Sequence, residues 1–230
     1  MIDIHRLSIT IDHRPSSMIG GAVEAIVRPH FAERSVAGWP RLLLGLGVFA
    51  GGLALMLRAN LGLSSWDVLH DALGRLTPLT FGQAVVGVSV LVVVASLALG
   101  VKPGPGTLAN VLLIGAFTDL ILATGVLVDL ASGPYPLRLL ASVTGLAAIA
   151  FGTALYVGAE LGAGPRDSLM LAVAKWSRRS PGTARAAIEA SVLVVGVALG
   201  GAAGVGTLLF AILIGPAIDA AFRLLGGGRI

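Results

Sequence analysis

Long apolar runs separated by short polar segments divide most of the chain. Six of these runs are long enough, as α-helices, to cross about 30 Å of hydrocarbon at ~1.5 Å per residue. Two further segments, 64–76 and 164–176, carry charged residues and reach only about 20 Å as helices. The pattern therefore predicts two half-helices and six spanning helices, near 41–58, 83–101, 106–128, 138–158, 183–203 and 206–225.

The second half of this pattern repeats the first. When the chain is laid on itself with a shift of 100 residues, about a third of positions 42–122 are identical without a gap. The matches include polar residues, since Asp67 meets Asp167 and Asp119 meets Asp219. We therefore predict an all-α membrane protein of two structural repeats, at about 41–128 and 138–225. Three crossings in each repeat make the second repeat inverted relative to the first.

Residues 1–38 differ from the rest because they are polar, basic and too broken in pattern to span a membrane. They lack the apolar stretch and small-residue cleavage site of a signal peptide. We expect a poorly ordered cytoplasmic tail, with a short interfacial helix near 21–27, followed by one transmembrane domain at 39–230. An alternative is that translation of the protein begins at Met18.

Composition and charge agree with a membrane protein. The mean hydropathy is +0.92 and 12% of residues are charged. The net charge of +4 could suit nucleic acid, but the basic residues lie in tails and loops, where they orient a protein in the lipid bilayer. With six crossings, 13 of the 16 Lys and Arg residues fall on the side of the N-terminus, and the other side has only Arg58, Arg75 and Arg138. This bias predicts that both termini are cytoplasmic. Counting the short segments as spans would give eight crossings and the same terminal positions.

Both short segments have readable helix starts. Ser64 and Asp67 have the spacing of a capping box, in which the hydroxyl accepts a hydrogen bond from the third amide of the helix. In the second half, Gly164 stands at the N-cap and Pro165 at the first helical position, where its missing N–H costs nothing. Asp167 again falls in the first turn. Two different sequences thus predict the same helix start.

Four ordered motifs recur through the apolar part of the chain, one in each quarter. They are RANLGLSSWDVLHDAL (58–73), GTLANVLLIGAFTD (106–119), GAGPRDSLML (162–171) and GTLLFAILIGPAID (206–219). Together they resemble the YczE/YyaS/YitT family of bacterial multi-pass membrane proteins, closest to its YczE-like branch. The resemblance implies an integral protein of the bacterial inner membrane with a proposed transport role. Ser65 departs from the family pattern, which usually has Pro before Trp-Asp.

Asp119 and Asp219 are the costliest residues of the predicted spans, since each lies about 13 residues into a helix. A carboxylate exposed at the bilayer centre costs about 2.5–3.5 kcal/mol on insertion scales, so each needs a partner. On the functional interpretation they face the interior as proton, cation or substrate sites. On the structural one they hydrogen-bond a neighbouring helix, with Gly115 and Gly215 permitting close packing.

The starts of the two short helices form the other candidate site. Inverted-repeat transporters bring the N-termini of two such helices together near the midplane to bind substrate. Asp67 and Asp167, with Ser64 and Ser65 beside the first, would then be binding residues. The alternative is that an acid in the first turn gains about 0.3–1 kcal/mol from the helix dipole and needs no ligand.

Four further side chains could serve this site. Trp66 is a stacking platform or, more commonly, an interfacial anchor. Arg166 could pair with Asp167 or Asp219, bind an anion or mark the cytoplasmic edge, and the edge is the favoured interpretation. His70 shares a helix face with Asp67 and could relay protons. Glu189 is a coupling residue or reaches Arg185 four residues earlier.

Absent motifs narrow the function further. The chain has no Cys, no phosphate-binding loop, no H-E-x-x-H and no G-x-S-x-G. We therefore expect no enzyme, no cofactor and no metal site. The leading hypothesis is a permease that moves a small solute or ion through a site between the repeats. The alternative is a non-transporting scaffold or regulatory partner of another protein. Glycine pairs at 47/51 and 196/200 offer surfaces for a homo-oligomer.

Overall fold

The computed structural model describes residues 35–128 and 130–226, which form an all-α structure with no strand among them. Most of the predicted tail, including Met18 and the interfacial helix near 21–27, lies outside the described residues. The all-α class is confirmed. The helices are α1 (Ser35–Ala59), α2 (Ser65–Leu76), α3 (Phe81–Ala98), α4 (Pro105–Ala123), α5 (Tyr135–Val157), α6 (Pro165–Ser177), α7 (Pro181–Ala198) and α8 (Val205–Leu224).

Six of the described helices are long and apolar enough to cross a membrane, as predicted. These are α1, α3, α4, α5, α7 and α8, with spans of 18 to 23 residues. The short helices α2 and α6 have 12 and 13 residues, about 18 to 20 Å at ~1.5 Å per residue, so neither can cross.

Three helices end earlier than predicted. The predicted ends were 101, 128 and 203, and α3, α4 and α7 end at Ala98, Ala123 and Ala198. The apolar sequence continues past each end, but Gly100, Gly125 and Gly200 follow with φ of +85°, +69° and +86°. Glycine adopts this left-handed conformation without the steric cost of a side chain, and it commonly terminates helices.

The two longest helices, α1 and α5, cross at the centre of the bundle. A Cβ on Gly52 would lie 2.5 Å from the carbonyl oxygen of Gly145, and a Cβ on Gly45 would lie 2.8 Å from that of Gly152. The absence of side chains at these four positions lets the two backbones touch. Leu46, Leu53 and Ile149 fill the core beside this crossing.

Each short helix packs against helices of both halves. Helix α2 contacts α3 of its own half and α7 of the other, and α6 contacts α7 of its own half and α3 of the other. This reciprocal packing is what two repeats related by a two-fold axis would produce. The duplication itself stays a prediction.

The loops before the short helices are held by the opposite half. Gly206 N–H, at the start of α8, donates to Leu61 O at 2.7 Å, and Leu63 N–H donates to Thr207 Oγ1 at 3.1 Å. Gly62, between them, has φ +114° and so little space that a Cβ would lie 2.6 Å from Gly204 N.

The loop before α6 is held in the same way by the start of α4. Gly106 N–H donates to Leu161 O at 2.8 Å, and Thr107 Oγ1 donates to Ala163 O at 2.5 Å. Gly162 also has a positive φ, +129°. These loops fix the positions from which α2 and α6 begin, and therefore the position of the residues in their first turns.

Candidate functional site

The first turn of α2 is closed by its own side chains. Ser64 is the N-cap, and its Oγ accepts a hydrogen bond from Asp67 N–H at 3.3 Å and donates to Asp67 Oδ2. Both residues are buried. The predicted cap is confirmed, and Ser65 stands half-buried at the first helical position.

The first turn of α6 is built without a side-chain cap. Gly164 is the N-cap, Pro165 follows it, and Asp167 lies in the first turn, all as predicted. Between them, Arg166 extends away from its own helix toward the start of α2.

Arg166 joins the two short helices through a buried ion pair. Its Nη2 lies 3.0 Å from Asp67 Oδ1, and the Asp67 side chain is only 2% exposed. The same oxygen lies 3.2 Å from His70 Nδ1, and the Arg166 guanidinium lies 5.5 Å from the centre of the Trp66 ring. We call Ser64, Trp66, Asp67, His70 and Arg166 the charge cluster. The N-termini of two helices from different halves thus meet at one carboxylate.

Two sequence interpretations need correction here. The partners considered for Arg166 were Asp167 and Asp219, and it pairs with Asp67 instead, while its place at the cytoplasmic edge stays a prediction. Trp66 was favoured as an interfacial anchor, but it is buried at 4% exposure beneath Arg166. Both errors have one cause, since neither residue carries any local signal of a partner about 100 residues away in the chain.

The charge states of the cluster follow from its surroundings. Burial alone would raise the pKa of Asp67, but Arg166, with the hydrogen bonds from His70 and Ser64, holds it well below its usual range. Burial lowers the pKa of His70 and outweighs the opposing effect of Asp67. A neutral His70 then donates from Nδ1 to the Asp67 carboxylate, leaving Nε2 as an acceptor. Nε2 is buried and has no hydrogen-bond partner among the described residues.

The lowered pKa of His70 predicts that stability depends on pH. Below pH 6.5, the ordinary pKa of histidine, the unfolded chain gains a proton at His70 that the folded chain does not bind. The free energy of unfolding therefore falls by up to about 1.4 kcal/mol per pH unit, until the pH reaches the lowered pKa of folded His70. Above pH 6.5 His70 has no effect on the pH dependence of stability. We expect His70→Gln to remove this part of the decline in melting temperature between pH 6.5 and 5 in detergent. An unchanged slope in the variant would contradict a buried neutral His70.

A narrow cleft adjoins the charge cluster. Its lining includes Asp167 and Glu189, and its open space of about 10 Å³ is enough for about one water molecule. Arg185 Nη1 lies 3.7 Å from Asp167 Oδ1, and Arg185 Nε lies 3.9 Å from Glu189 Oε1, so the predicted Arg185–Glu189 pair is present. Burial raises the pKa of the Asp167 carboxyl against the opposing effects of Arg185 and Arg166. The described residues that line it are Trp66, Arg166, Asp167, Met170, Arg185, Ile188 and Glu189.

A larger cleft of about 430 Å³ lies elsewhere, between the end of α1 and the start of α8. Among the described residues, the only charged one in its lining is Arg75, which is 57% exposed and held 2.8 Å from Asp71. None of the predicted site residues lines it. Size alone does not make it the better candidate, because its walls are otherwise small or apolar side chains, Asn60 and backbone.

The structure places Asp119 and Asp219 in different surroundings. Asp119 accepts hydrogen bonds from Thr80 Oγ1 and from Gly82 N–H, the latter at 2.8 Å, so it joins α4 to α3. Asp219 is exposed on α8. Because α4 ends at Ala123, Asp119 lies four residues from the helix end, nearer to it than the predicted span to 128 implied. Neither acid lines either cleft.

Sequence reasoning missed three contributors to the site. Arg185 was considered only as a partner of Glu189, and it also faces Asp167. Thr107 and Thr207 position the loops before the short helices, and both are buried. The repeated Gly-Thr-Leu at 106–108 and 206–208 was the available signal. Among the described residues no three or more His, Asp or Glu side chains gather as metal ligands do.

Comparison with known proteins supports the membrane assignment. A family model described as "Family of unknown function (DUF6198)" matches residues 36–223. The uncharacterized membrane protein YczE of Bacillus subtilis is 35% identical over 185 residues, covering 80% of this chain and 84% of YczE. An uncharacterized protein of Haemophilus influenzae is 33% identical over 180 residues, covering 77% of this chain and 80% of its own length.

A third relative is more distant. The uncharacterized protein YyaS of Bacillus subtilis is 29% identical over 175 residues, covering 72% of this chain and 83% of YyaS. No solved structure matches the chain. The resemblance to YczE and YyaS inferred from the four motifs is thus confirmed.

Proposed function

The chain belongs to the DUF6198 family, and we propose that it is a permease of the bacterial inner membrane that moves a small solute or ion, with transport coupled to a gradient. One observation carries the proposal: two helices too short to span the bilayer meet, N-terminus to N-terminus, at the buried Arg166–Asp67 pair. Secondary transporters with inverted repeats build their binding sites from such broken elements.

The electrostatics of this meeting point suit a ligand. Helix N-termini present unpaired N–H groups and a partial positive charge. Within the charge cluster, Asp67 is already neutralised by Arg166, so the groups left for a ligand are those of the narrow cleft. Asp167, Arg185 and Glu189 are 35%, 55% and 33% exposed there, and their mutual distances are too long for strong pairing. Both signs of charge are therefore available to one small polar solute.

The orientation follows from the basic residues. Thirteen Lys and Arg residues lie on one side of a six-crossing chain and three on the other, and this bias favours a cytoplasmic location for both termini. The narrow cleft then opens toward the cytoplasm, because it is lined by the beginnings of α6 and α7. The larger cleft lies on the outer side.

The proposal predicts that transport depends on Asp167. We expect Asp167→Asn to lower uptake by about tenfold or more, since a charge-assisted hydrogen bond contributes about 1.5–3 kcal/mol. Purified protein is first screened by thermal shift against ions and metabolites across pH. Uptake of the stabilising solute is then measured in reconstituted vesicles with an imposed gradient.

Asp71→Asn is the matched control, because Asp71 lies outside the narrow cleft and accepts from Arg75 and from Ala202 N–H, and the asparagine side-chain oxygen can still accept from that amide. It should leave uptake within about twofold of wild type, on the order of 0.4 kcal/mol. Equal losses in the two variants would contradict a site at Asp167. If no solute in the panel shifts the melting temperature and no flux is seen, the scaffold alternative takes the place of the permease.

A further inference from the structure

The first half contains a small interhelical contact that closes α3 onto α4. Thr80 Oγ1 and Gly82 N–H both donate to the Asp119 carboxylate. Gly82 lies directly against Gly115, whose missing side chain allows the two backbones to touch. We call Thr80, Gly82, Gly115 and Asp119 the first clasp.

The second half has the same four kinds of residue at the same spacing. Ser180, Gly182, Gly215 and Asp219 each stand 100 positions after a member of the first clasp, and we call them the second clasp. Here the contact is absent. A Cβ on Gly182 or on Gly215 would meet nothing within 4 Å, and the Asp219 side chain is exposed.

The surrounding helices show the same difference. Helices α3 and α4 pack along each other, whereas α7 and α8 scarcely touch. Only 11% of the α7 span and 22% of the α8 span are buried, against 33% and 39% for α3 and α4. The first clasp is therefore closed and the second is open.

The open clasp has the chemistry needed to close. Ser180 carries a hydroxyl as Thr80 does, and Gly182, near the start of α7, has an N–H that no described residue uses. Asp219 has no side-chain hydrogen bond among the described residues, and only its backbone oxygen accepts a bond, from Arg223. The Asp219 carboxylate can therefore accept a hydrogen bond from the Gly182 N–H. It can also accept one from the Ser180 hydroxyl once that hydroxyl turns away from Thr183 Oγ1, which lies 2.9 Å from it.

The two clasps lie at opposite faces of the bundle. The first joins the start of α3 to the end of α4, and the second joins the start of α7 to the end of α8. Counting single crossings from α3 through α4, α5, α7 and α8 puts these two junctions on different sides of the membrane. With the first clasp closed and the second open, the helices are packed together at one face of the bundle and stand apart at the other.

The short helices connect the two clasps mechanically. Both α2 and α6 pack against α3 and against α7. A movement of α7 toward α8 therefore pulls on the same two helices that hold the charge cluster and that contact α3.

We propose that the second clasp closes in an alternate conformation, with Asp219 bonded to Ser180 and Gly182, while the first clasp opens. Its role as alternating access to the site rests on the function proposed above. The closing of the second clasp does not depend on that function, because it concerns only whether α7 and α8 touch.

The absence of Cys allows a direct test with spin labels. Ala187→Cys on α7 and Ala220→Cys on α8, both exposed positions near the second clasp, are labelled and their separation is measured by dipolar spectroscopy in lipid nanodiscs. We expect two distances in the otherwise wild-type protein. Adding Gly215→Leu should remove the shorter one, since the leucine fills the space in which the backbones must meet.

Gly87→Leu is the matched control, because a Cβ on Gly87 also meets nothing within 4 Å but Gly87 belongs to neither clasp. It should keep both distances. Asp119→Asn, which weakens the first clasp, should increase the fraction with the shorter distance. Neither leucine variant should lower the melting temperature appreciably.

A single distance in the wild type and in Asp119→Asn would overturn the inference, as would a shorter distance that survives Gly215→Leu. The measurement needs no transported solute. Two distances without flux in vesicles would therefore refute the permease and leave the clasps standing. Flux with a single distance would refute the clasps alone.

Discussion

Replacing Gly52 with valine is expected to prevent the bundle from assembling, whereas valine at the neighbouring Gly51 should be tolerated. A Cβ on Gly52 would lie 2.5 Å from Gly145 O and 2.9 Å from both Ala148 Cβ and Ile149 N. Two of these atoms belong to the backbone of α5 and cannot move aside. Overpacking a core commonly costs about 1–3 kcal/mol, and we expect about 3 kcal/mol or more here because the central helix crossing is displaced.

Gly51 is a close control because it shares the helix and the substitution. A Cβ there meets nothing within 4 Å. The measurements are the yield of protein extracted from membranes and its melting temperature in detergent, with Gly145→Val as the reciprocal test from α5. Wild-type yield and melting temperature for Gly52→Val would show that α1 and α5 do not cross at these glycines.

Removing the Arg166 guanidinium is the second change with a large expected effect. Arg166→Ala leaves the Asp67 carboxylate buried without its cation, a situation that costs about 3–5 kcal/mol in folded proteins. Arg185→Ala is the control, because Arg185 is 55% exposed and 3.7 Å from Asp167, and exposed pairs contribute only about 0–1 kcal/mol. Melting temperature in detergent reports both.

The pH dependence of this loss has a definite sign. Since the pKa of folded Asp67 is lowered from its ordinary 3.8, the stabilisation by its carboxylate is complete above that value and is lost as the pH falls below it. Without Arg166, burial raises the pKa of the Asp67 carboxyl in the variant, so the difference in stability between wild type and Arg166→Ala should shrink as the pH falls, beginning above pH 3.8. Adding Asp67→Asn to Arg166→Ala should recover part of the stability. A double variant no more stable than the single one would argue against an unpaired buried charge.

The parts of the fold that could be predicted are those with local signals. Ser64 and Asp67 specify a cap within four residues, and Gly164 with Pro165 specifies another, so both short helices begin where expected. The six spans follow equally directly from apolar length. Three helix ends were placed too late because apolar residues continue past them. The glycine at each end, Gly125 for example, outweighs hydropathy by taking a positive φ.

The site was predictable only in part, because its contacts join residues far apart in the chain. The sequence pointed to the starts of the two short helices, and the structure brings these together. Nothing local indicates that Arg166 reaches Asp67 across the halves, or that Asp119 bonds to α3 while Asp219 stands exposed. Identical residues at equivalent positions have different partners, and a self-alignment of the sequence cannot reveal that difference.

The loop from Leu61 to Leu63 is held by Gly206 and Thr207, which the ribosome adds more than 140 residues later. During synthesis, the first three helices therefore enter the lipid before the segment that fixes their loop exists. Their early arrangement must stay loose and protected from neighbours until α8 is inserted. Chain termination between the halves would release a fragment whose loop backbone groups lack these partners, and membrane quality-control proteases are expected to degrade it.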